Sequence, residues 1–410
     1  MTSRQDRIDK GLSTERSAAE FSISASLQRM IQLPLFTALE ESGGRGRPRD
    51  LYERIADTAG VGLEARAATR ECADGQSYKV FQQQVRWARQ TAVAEGLIAG
   101  DRGVWELTDA AYAKLGRIRR GAVVLIYSTD EGIALWAHAE DAASHIEQGS
   151  VKLVLTSPPY PVIKRAYGRL SVPEWLHWMK RLVAIWKELI ADDGTIAVNL
   201  MDVFVSGTPA ISPYVERFTL SAIDDVGLHL AGRMPWHSPT KLGNIEWTAK
   251  RKVQPKNSLE HVLLFSKSPN PAWDITRMDR PARAARSDRQ READAARLST
   301  VRPSGHSINE RAFMKAGAQP LPGNLIVAGG SGGGSYATRC RAASLQPHPA
   351  RFPEALPRQI ILLATDVGQI VYDPMAGSNM TGKVAGELGR RWISSEPMLE
   401  YVRGSELRFT

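Results

Sequence analysis

Val151-Lys152-Leu153-Val154-Leu155-Thr156-Ser157-Pro158-Pro159-Tyr160 is an apolar run that stops on two consecutive prolines. A short apolar run bounded by turn residues reads as a buried strand. Pro158 and Pro159 lack a backbone N–H, so they neither extend a ladder nor open a helix normally. A stiff loop must follow the strand, with its carbonyls facing outward at the C-terminal edge, where open α/β sheets place ligands. The Ser157 hydroxyl and the Pro158 carbonyl supply two acceptors for an exocyclic amine. The Tyr160 ring supplies a face to stack on its base.

Downstream, Trp175 to Ile190 reads as an amphipathic helix and Gly194 to Leu200 as another strand. Val262 to Phe265 and Gln369 to Tyr372 are two more strands. Strands alternating with helices predict a layered α/β sheet. After the last of these comes Asp373-Pro374-Met375-Ala376-Gly377-Ser378-Asn379-Met380-Thr381-Gly382, leading into a helix from Lys383 to Leu388. Glu396 closes the strand-like run Trp392 to Ser395. Small residues let a backbone approach a nucleotide, and an acid at the next strand's end takes ribose hydroxyls. This turn is neither a Gly-x-Gly-x-x-Gly fingerprint nor a Walker loop. His348-Pro349-Ala350-Arg351-Phe352-Pro353 and Trp236-His237-Ser238-Pro239 are further polar turns.

Upstream, residues 1–20 are polar and read as a loose arm. Leu27, Met30, Ile31, Leu35 and Leu39 repeat at helical spacing, with Pro34 as a kink. Pro48 suits the first turn of a second helix. A third spans Tyr78 to Ala94, with Val80, Phe81, Val85, Trp87, Ala88 and Val93 on its inner side. Leu97 to Leu107 reads as two short strands around a turn, and Thr108 or Asp109 as a helix cap. Helices followed by a two-stranded wing have the shape of a winged helix. Its third helix would expose Lys79, Arg86 and Arg89 to DNA, and the wing tip would carry Arg102. The same shape also serves protein contact.

The chain has 410 residues and a net charge of +9, with 43% hydrophobic and 24% charged side chains. These values suit a soluble protein with two or three cores. No run approaches a membrane span, and the N-terminus lacks a signal peptide's apolar stretch, so a cytoplasmic protein is expected. Cys72 and Cys340 cannot build a disulfide framework or a cysteine zinc site, and the eight histidines are scattered, so no metal is expected. The charge is uneven: residues 241–350 carry 18 basic and 8 acidic side chains. That stretch either neutralises phosphates or is a solvated loop, for which Arg/Ala-rich 280–297 and Gly-rich 329–335 are suited.

Taken together, the turns resemble the amino-directed DNA methyltransferases, which methylate N4 of cytosine or N6 of adenine. Residues 125–410 carry the resemblance. It implies a Rossmann-like, S-adenosylmethionine-dependent methyltransferase sheet, in the circularly permuted motif order because the Ser157 loop comes first. It further implies that Ser157, Pro158, Pro159 and Tyr160 form the catalytic loop. Asp141, Thr156, Ala350, Phe352, Asp373, Pro374, Met375, Gly377, Ser378, Asn379, Thr381 and Glu396 would bind the cofactor. Phe is usual at Met375 and Gly common at Asn379. Met keeps apolar contact, and Asn tolerates left-handed angles. Ser157 stands where adenine enzymes mostly carry Asp or Asn, which favours N4-cytosine.

The N-terminal part resembles the winged-helix domain of Mrr-type restriction proteins, through Gly46-Arg47-Pro48, Val85 to Arg89 and Gly103 to Thr108. The implied organisation is an arm over 1–20, a winged-helix domain over 21–120 and a methyltransferase domain over 121–410. Within the last, 236–335 would be an inserted target-recognition region. Trp236, Ser238, Lys250, Arg251 and Lys252 are its DNA-binding candidates. The implied partner is double-stranded DNA, with or without a cognate restriction endonuclease, and no membrane. An adenine-specific enzyme and an inactive DNA-binding regulator remain alternatives. Deleting 1–118 should weaken DNA binding and spare cofactor binding. Oligomeric state and recognition sequence are not written in the motifs.

Overall fold

A computed structural model describes residues 34–71, 77–100, 103–163, 170–280, 321–329 and 335–410. The arm, the first turns of the Leu27 helix, Cys72, Arg102, nearly all of 280–297 and most of 329–335 lie outside the described residues.

The N-terminal unit begins with helix α1 (34–41) and strand β1 (Arg45–Gly46). Helix α2 (Pro48–Ala59) starts on its proline and stops where Gly60 turns left-handed at φ 71°. After α3 (Leu63–Ala67), β2 (Thr69–Glu71) pairs antiparallel with β3 (Ser77–Lys79). That pairing delays the third helix, α4 (Val80–Ala94), to Val80. Phe81, Val85, Ala88 and Ala92 recur at helical spacing on α4 and pack on Leu35, Leu39, Leu51 and Ile55. Trp87 and Val93, assigned above to this inner side, are exposed, because they sit well round the helix from Val85 and Ala88. The wing is β4 (Ile98–Ala99) against β5 (Trp105–Leu107), with β1 on the other side of β5. The Thr108 hydroxyl caps α5 (Asp109–Leu115).

The larger unit is built on a ten-stranded sheet. In chain order its elements are β6 (Val123–Ser128), β7 (Gly132–Ala137), α6 (Ala139–Ala143), β8 (Val151–Thr156), α7 (Val172–Leu189), β9 (Ile190–Leu200) and α8 (Tyr214–Asp224). Next come β10 (His229–Arg233), β11 (Trp236–His237), β12 (Leu259–Ser266) and β13 (Ile326–Val327). The last are α9 (Ser335–Ala342), α10 (Ala355–Ala364), β14 (Ile370–Asp373), α11 (Met380–Glu387), β15 (Arg391–Glu396) and α12 (Leu399–Glu406). The strand order is β13-β11-β12-β9-β8-β14-β15-β7-β6, with β10 also paired to β12. β9, β8, β14, β15 and β7 are parallel, while β12 and β6 run antiparallel to their inner neighbours.

Every residue of β8 is buried, and its one charge, Lys152, reaches Asp193 at 2.5 Å. Helices cover both faces. Trp175, Met179, Trp186 and Phe218 fill one side, and Leu356, Ile360, Val384 and Trp392 the other. A capping box between Ser171 and Glu174 starts α7.

Two features place the site. From β8 the chain passes through α7 to β9, and from β14 through α11 to β15, on the opposite side. β8 and β14 therefore flank the point where strand order reverses, and a crevice opens above their C-terminal ends. Secondly, 236–335 is not one insertion. β11 and β12 are sheet strands, because a parallel sheet needs its outer strand covered. The described residues of this stretch that leave the sheet are 238–258, 267–280, 321–325 and 328–329.

Candidate active site

The loop after β8 is held from below. The Trp175 indole N–H donates to the Pro159 carbonyl at 2.7 Å, and Trp175 is fully buried against Tyr214 and Phe218. Ser157 Oγ and the Tyr160 hydroxyl lie 3.1 Å apart. Tyr160 donates to Glu260 Oε2 at 2.9 Å. Asn199 Nδ2 donates to the same oxygen at 2.7 Å, and to Ser157 Oγ at 3.3 Å and Tyr160 Oη at 3.2 Å. Lys241 Nζ donates to Glu260 Oε1 at 2.9 Å. The register pairs Asn199 with Val262, so Glu260, two residues earlier on β12, shares its face. Burial, and then the Glu260 charge, push the Tyr160 hydroxyl well above its usual pKa, so it stays a donor.

The loop after β14 is built around Asp373, which is 1% exposed. It accepts from Met375 N at 3.2 Å and Thr381 Oγ1 at 2.6 Å. Burial raises its carboxyl to about 6 despite these bonds. Glu396, at the end of β15, accepts from the N–H groups of Gly377 at 3.1 Å and Met398 at 2.9 Å. Gly377 is left-handed, and a Cβ there would meet the His348 ring at 2.9 Å. Asn379 is left-handed too (φ 49°), and its side chain caps α11 through Gly382 N. Arg408 grips Ser378 through its carbonyl and hydroxyl.

A cavity of about 600 Å³ joins the two loops. Ser157, Pro158, Pro159 and Tyr160 line one end; Ala350, Phe352, Pro374, Met375, Gly377, Ser378 and Glu396 line the other. Thr156, Asp373, Asn379 and Thr381 are buried beneath the floor and shape it. Asp141 is turned away and accepts from Gly121 N, and the cavity side chain beside it is Glu140. Glu140 is held by Arg120 at 3.0 Å and the Trp178 indole at 3.0 Å. His138, also on the wall, is pushed down to about 4 by burial. Glu40 and Glu41 of α1 and Arg117 reach the same wall, and Arg117 pairs with Glu40. The N-terminal unit thus helps to enclose the cavity, against the clean division of labour expected from sequence.

The DNA-binding candidates divide. Lys79 and Arg86 are exposed at the start and on the outer side of α4. Arg89 instead donates to Gly100 O at 2.8 Å, tying α4 to the wing. Lys250, Arg251 and Lys252 are exposed at the end of a π-helical turn, Ile245–Lys250, with Arg251 over the Trp247 ring. Trp236 and Ser238 are buried, since β11 lies inside the sheet, and Trp236 faces the cavity. Sequence reading missed Asn199, Glu260 and Lys241, and from the segment Glu140-Asp141-Ala142 it took Asp141 where Glu140 lines the cavity. An amide inside the apolar run of β9, and an acid two residues before Val262 to Phe265, were the available signals.

A sheet whose switch point opens on the loops after β8 and β14, joined by one cavity, has the architecture of a Rossmann-like methyltransferase. Residues 151–407 match the family model described as DNA methylase, and 29–116 match the Mrr N-terminal domain. Type II methyltransferase M.PvuII of Proteus hauseri is 34% identical over 290 residues, 69% of this chain and 85% of its own. Type II methyltransferase M.XycI of Xanthomonas campestris pv. cyanopsidis is 24% identical over 285 residues, 63% and 80% of the two chains. The solved structure of PvuII DNA methyltransferase (cytosine-N4-specific) is 31% identical, covers 69% of this chain and 88% of its own, and superposes with a TM-score of 0.56. The chain belongs to the DNA methylase family and is an S-adenosylmethionine-dependent DNA methyltransferase.

The residues present fit that cofactor. Glu396 offers a carboxylate to a ribose diol, Met375 and Phe352 offer apolar surface, and the missing Cβ at Gly377 opens the cradle.

Proposed function

We propose that this chain methylates the exocyclic N4 of a cytosine flipped out of double-stranded DNA. The observation that carries this is the shared cavity, which brings the Ser157 loop and the Gly377 loop to one enclosed space. Ser157 at the head of the loop, and the likeness to a cytosine-N4-specific enzyme, support cytosine over adenine.

S-adenosylmethionine, when bound, supplies an electrophilic methyl group. The amine of an aromatic base is a poor nucleophile, because its lone pair is delocalised into the ring. Ser157 Oγ and the Pro158 carbonyl accept from the amine and favour a pyramidal nitrogen, while Tyr160 stacks on the base. Trp175 keeps the loop in place through Pro159. The target cannot be reached inside a duplex, so it is extruded. The exposed cations of 250–252 and of α4 supply phosphate contacts. A restriction endonuclease with the same recognition sequence is the companion this reading suggests, with both acting in the cytoplasm.

The test is methyl transfer from labelled S-adenosylmethionine to unmethylated duplex DNA, followed by digestion to nucleosides. N4-methylcytosine is expected. N6-methyladenine would replace cytosine as the target, and unlabelled DNA would overturn the reading altogether.

A further inference from the structure

We propose that Glu260 is the terminal acceptor of the proton released by the target amine, reached through the hydroxyls of Ser157 and Tyr160. The proposal rests on the amine-binding reading of the Ser157 loop. The hydroxyls stand 3.1 Å apart, and Tyr160 Oη is 2.9 Å from Glu260 Oε2. The three groups form a continuous chain from the cavity into the sheet.

Chemistry requires such an exit. When the amine lone pair forms its bond to the methyl carbon, the carbon–sulfur bonding pair is left on sulfur. The nitrogen then carries a positive charge and becomes strongly acidic. Its proton passes to Ser157 Oγ as the serine's own proton moves to Tyr160 Oη and the tyrosine's to Glu260. The products are a neutral methylated amine, a thioether and a carboxylic acid. A carboxylate suffices as the acceptor, because the donor is so acid.

Among the described residues, Glu260 is the carboxylate hydrogen-bonded to this hydroxyl pair. Asp202, near the end of β9, is instead engaged by His261 at 2.9 Å and Asn257 at 3.1 Å. Asn199 donates to all three members of the chain, and its own Oδ1 is buried without a partner. Its amide orientation is set by the carboxylate, since a flip would place oxygen against oxygen. Glu260 is 7% exposed, so it exchanges protons with the cavity more readily than with bulk water. The groups facing it are Tyr160, Lys241 and, from α8, Tyr214. Lys241 pairs with the carboxylate at 2.9 Å, and the Asp202–His261 pair borders the lysine. Glu260 acts through other side chains, and so is a positioning residue that also receives the proton.

The experiment is single-turnover methylation of duplex DNA by the full chain and its Glu260→Gln variant across pH 5 to 9. Cofactor affinity is measured in parallel by fluorescence titration, and folding by thermal denaturation. Glu260→Gln should lower the rate about 100-fold or more, the usual effect of a lost acid–base group. It should change the pH dependence of the rate and leave cofactor affinity within about threefold. Tyr160→Phe should lower the rate similarly, with the double variant no slower, as expected for one chain. If Glu260→Gln unfolds because Lys241 is left unpaired, Glu260→Gln/Lys241→Met restores the fold and must still be slow. A Glu260→Gln variant with the wild-type rate and pH profile overturns the proposal. A wild-type chain that methylates no DNA overturns the functional reading with it.

Discussion

Replacing Asp373 by Asn should remove a defined pH dependence from the stability of the methyltransferase unit. The carboxyl is 1% exposed, and burial raises it from the ordinary 3.8 to about 6. The hydroxyls of Thr381 and Thr156 and the Met375 N–H oppose that rise without cancelling it. A carboxyl raised on folding contributes stability below its unfolded value and loses that contribution as pH climbs through its folded value. Between 3.8 and about 6 the folded state holds a proton that the unfolded state has lost. Unfolding free energy should therefore fall across this window by about 3 kcal/mol and then level off. An amide is neutral throughout, accepts from Met375 and can donate to Thr381, so Asp373→Asn should lack the slope. Urea denaturation of both proteins from pH 4 to 8 gives the difference directly, because every other titrating group is shared. A wild-type-minus-variant difference that stays constant from pH 4 to 7 would refute the claim that Asp373 is a desolvated carboxylate at neutral pH. Such a cost, kept beneath the floor of the cavity, fits a site where function is favoured over stability.

Asn379→Ala should cost about 2 kcal/mol, from the left-handed angle and the lost cap together, and Asn379→Gly about half that. Equal melting-temperature losses in the two variants would contradict the backbone part. Arg117→Ala leaves Glu40 without its partner in a largely enclosed position and should destabilise by about 3 kcal/mol. It should also weaken S-adenosylmethionine binding, because both residues line the cavity; unchanged affinity by calorimetry would separate the N-terminal unit from the site. Trp175→Phe removes the indole donor from Pro159 and part of a packed side chain, at about 2 kcal/mol. Its methylation rate should fall while cofactor affinity holds, and a wild-type single-turnover rate would show that the loop needs no such anchor.

Local signals carried far. The buried run at 151–155, the double proline and the turn at 373–382 each place a strand end and a loop, because strand length, proline chemistry and small residues act within a few positions. β6 and β7 escaped notice. Leu125 is 56% exposed on the edge strand, so the pair lacks the clean alternation that marks a half-buried strand. Trp236 and Ser238 were read as DNA contacts because they sit in a polar turn, yet pairing with β12 buries them. Asp141 was chosen over Glu140, although only the latter faces the cavity: within a short helix, adjacent residues point about 100° apart, and sequence does not say which points inward.

By itself the sequence determined the sheet's alternating pattern, the two loops and the order in which they come. It also placed the excess of basic charge between them. What only the tertiary structure decided is who stands beside Ser157. Asn199, Glu260 and Lys241 lie 42, 103 and 84 residues further along the chain. The first two meet because β12 runs antiparallel to β9 in one register, and the turn after β11 brings Lys241 to Glu260. Such a register depends on long-range packing of both sheet faces. The same holds for the cavity wall, where α1 and Arg117 close on residues near the C-terminus.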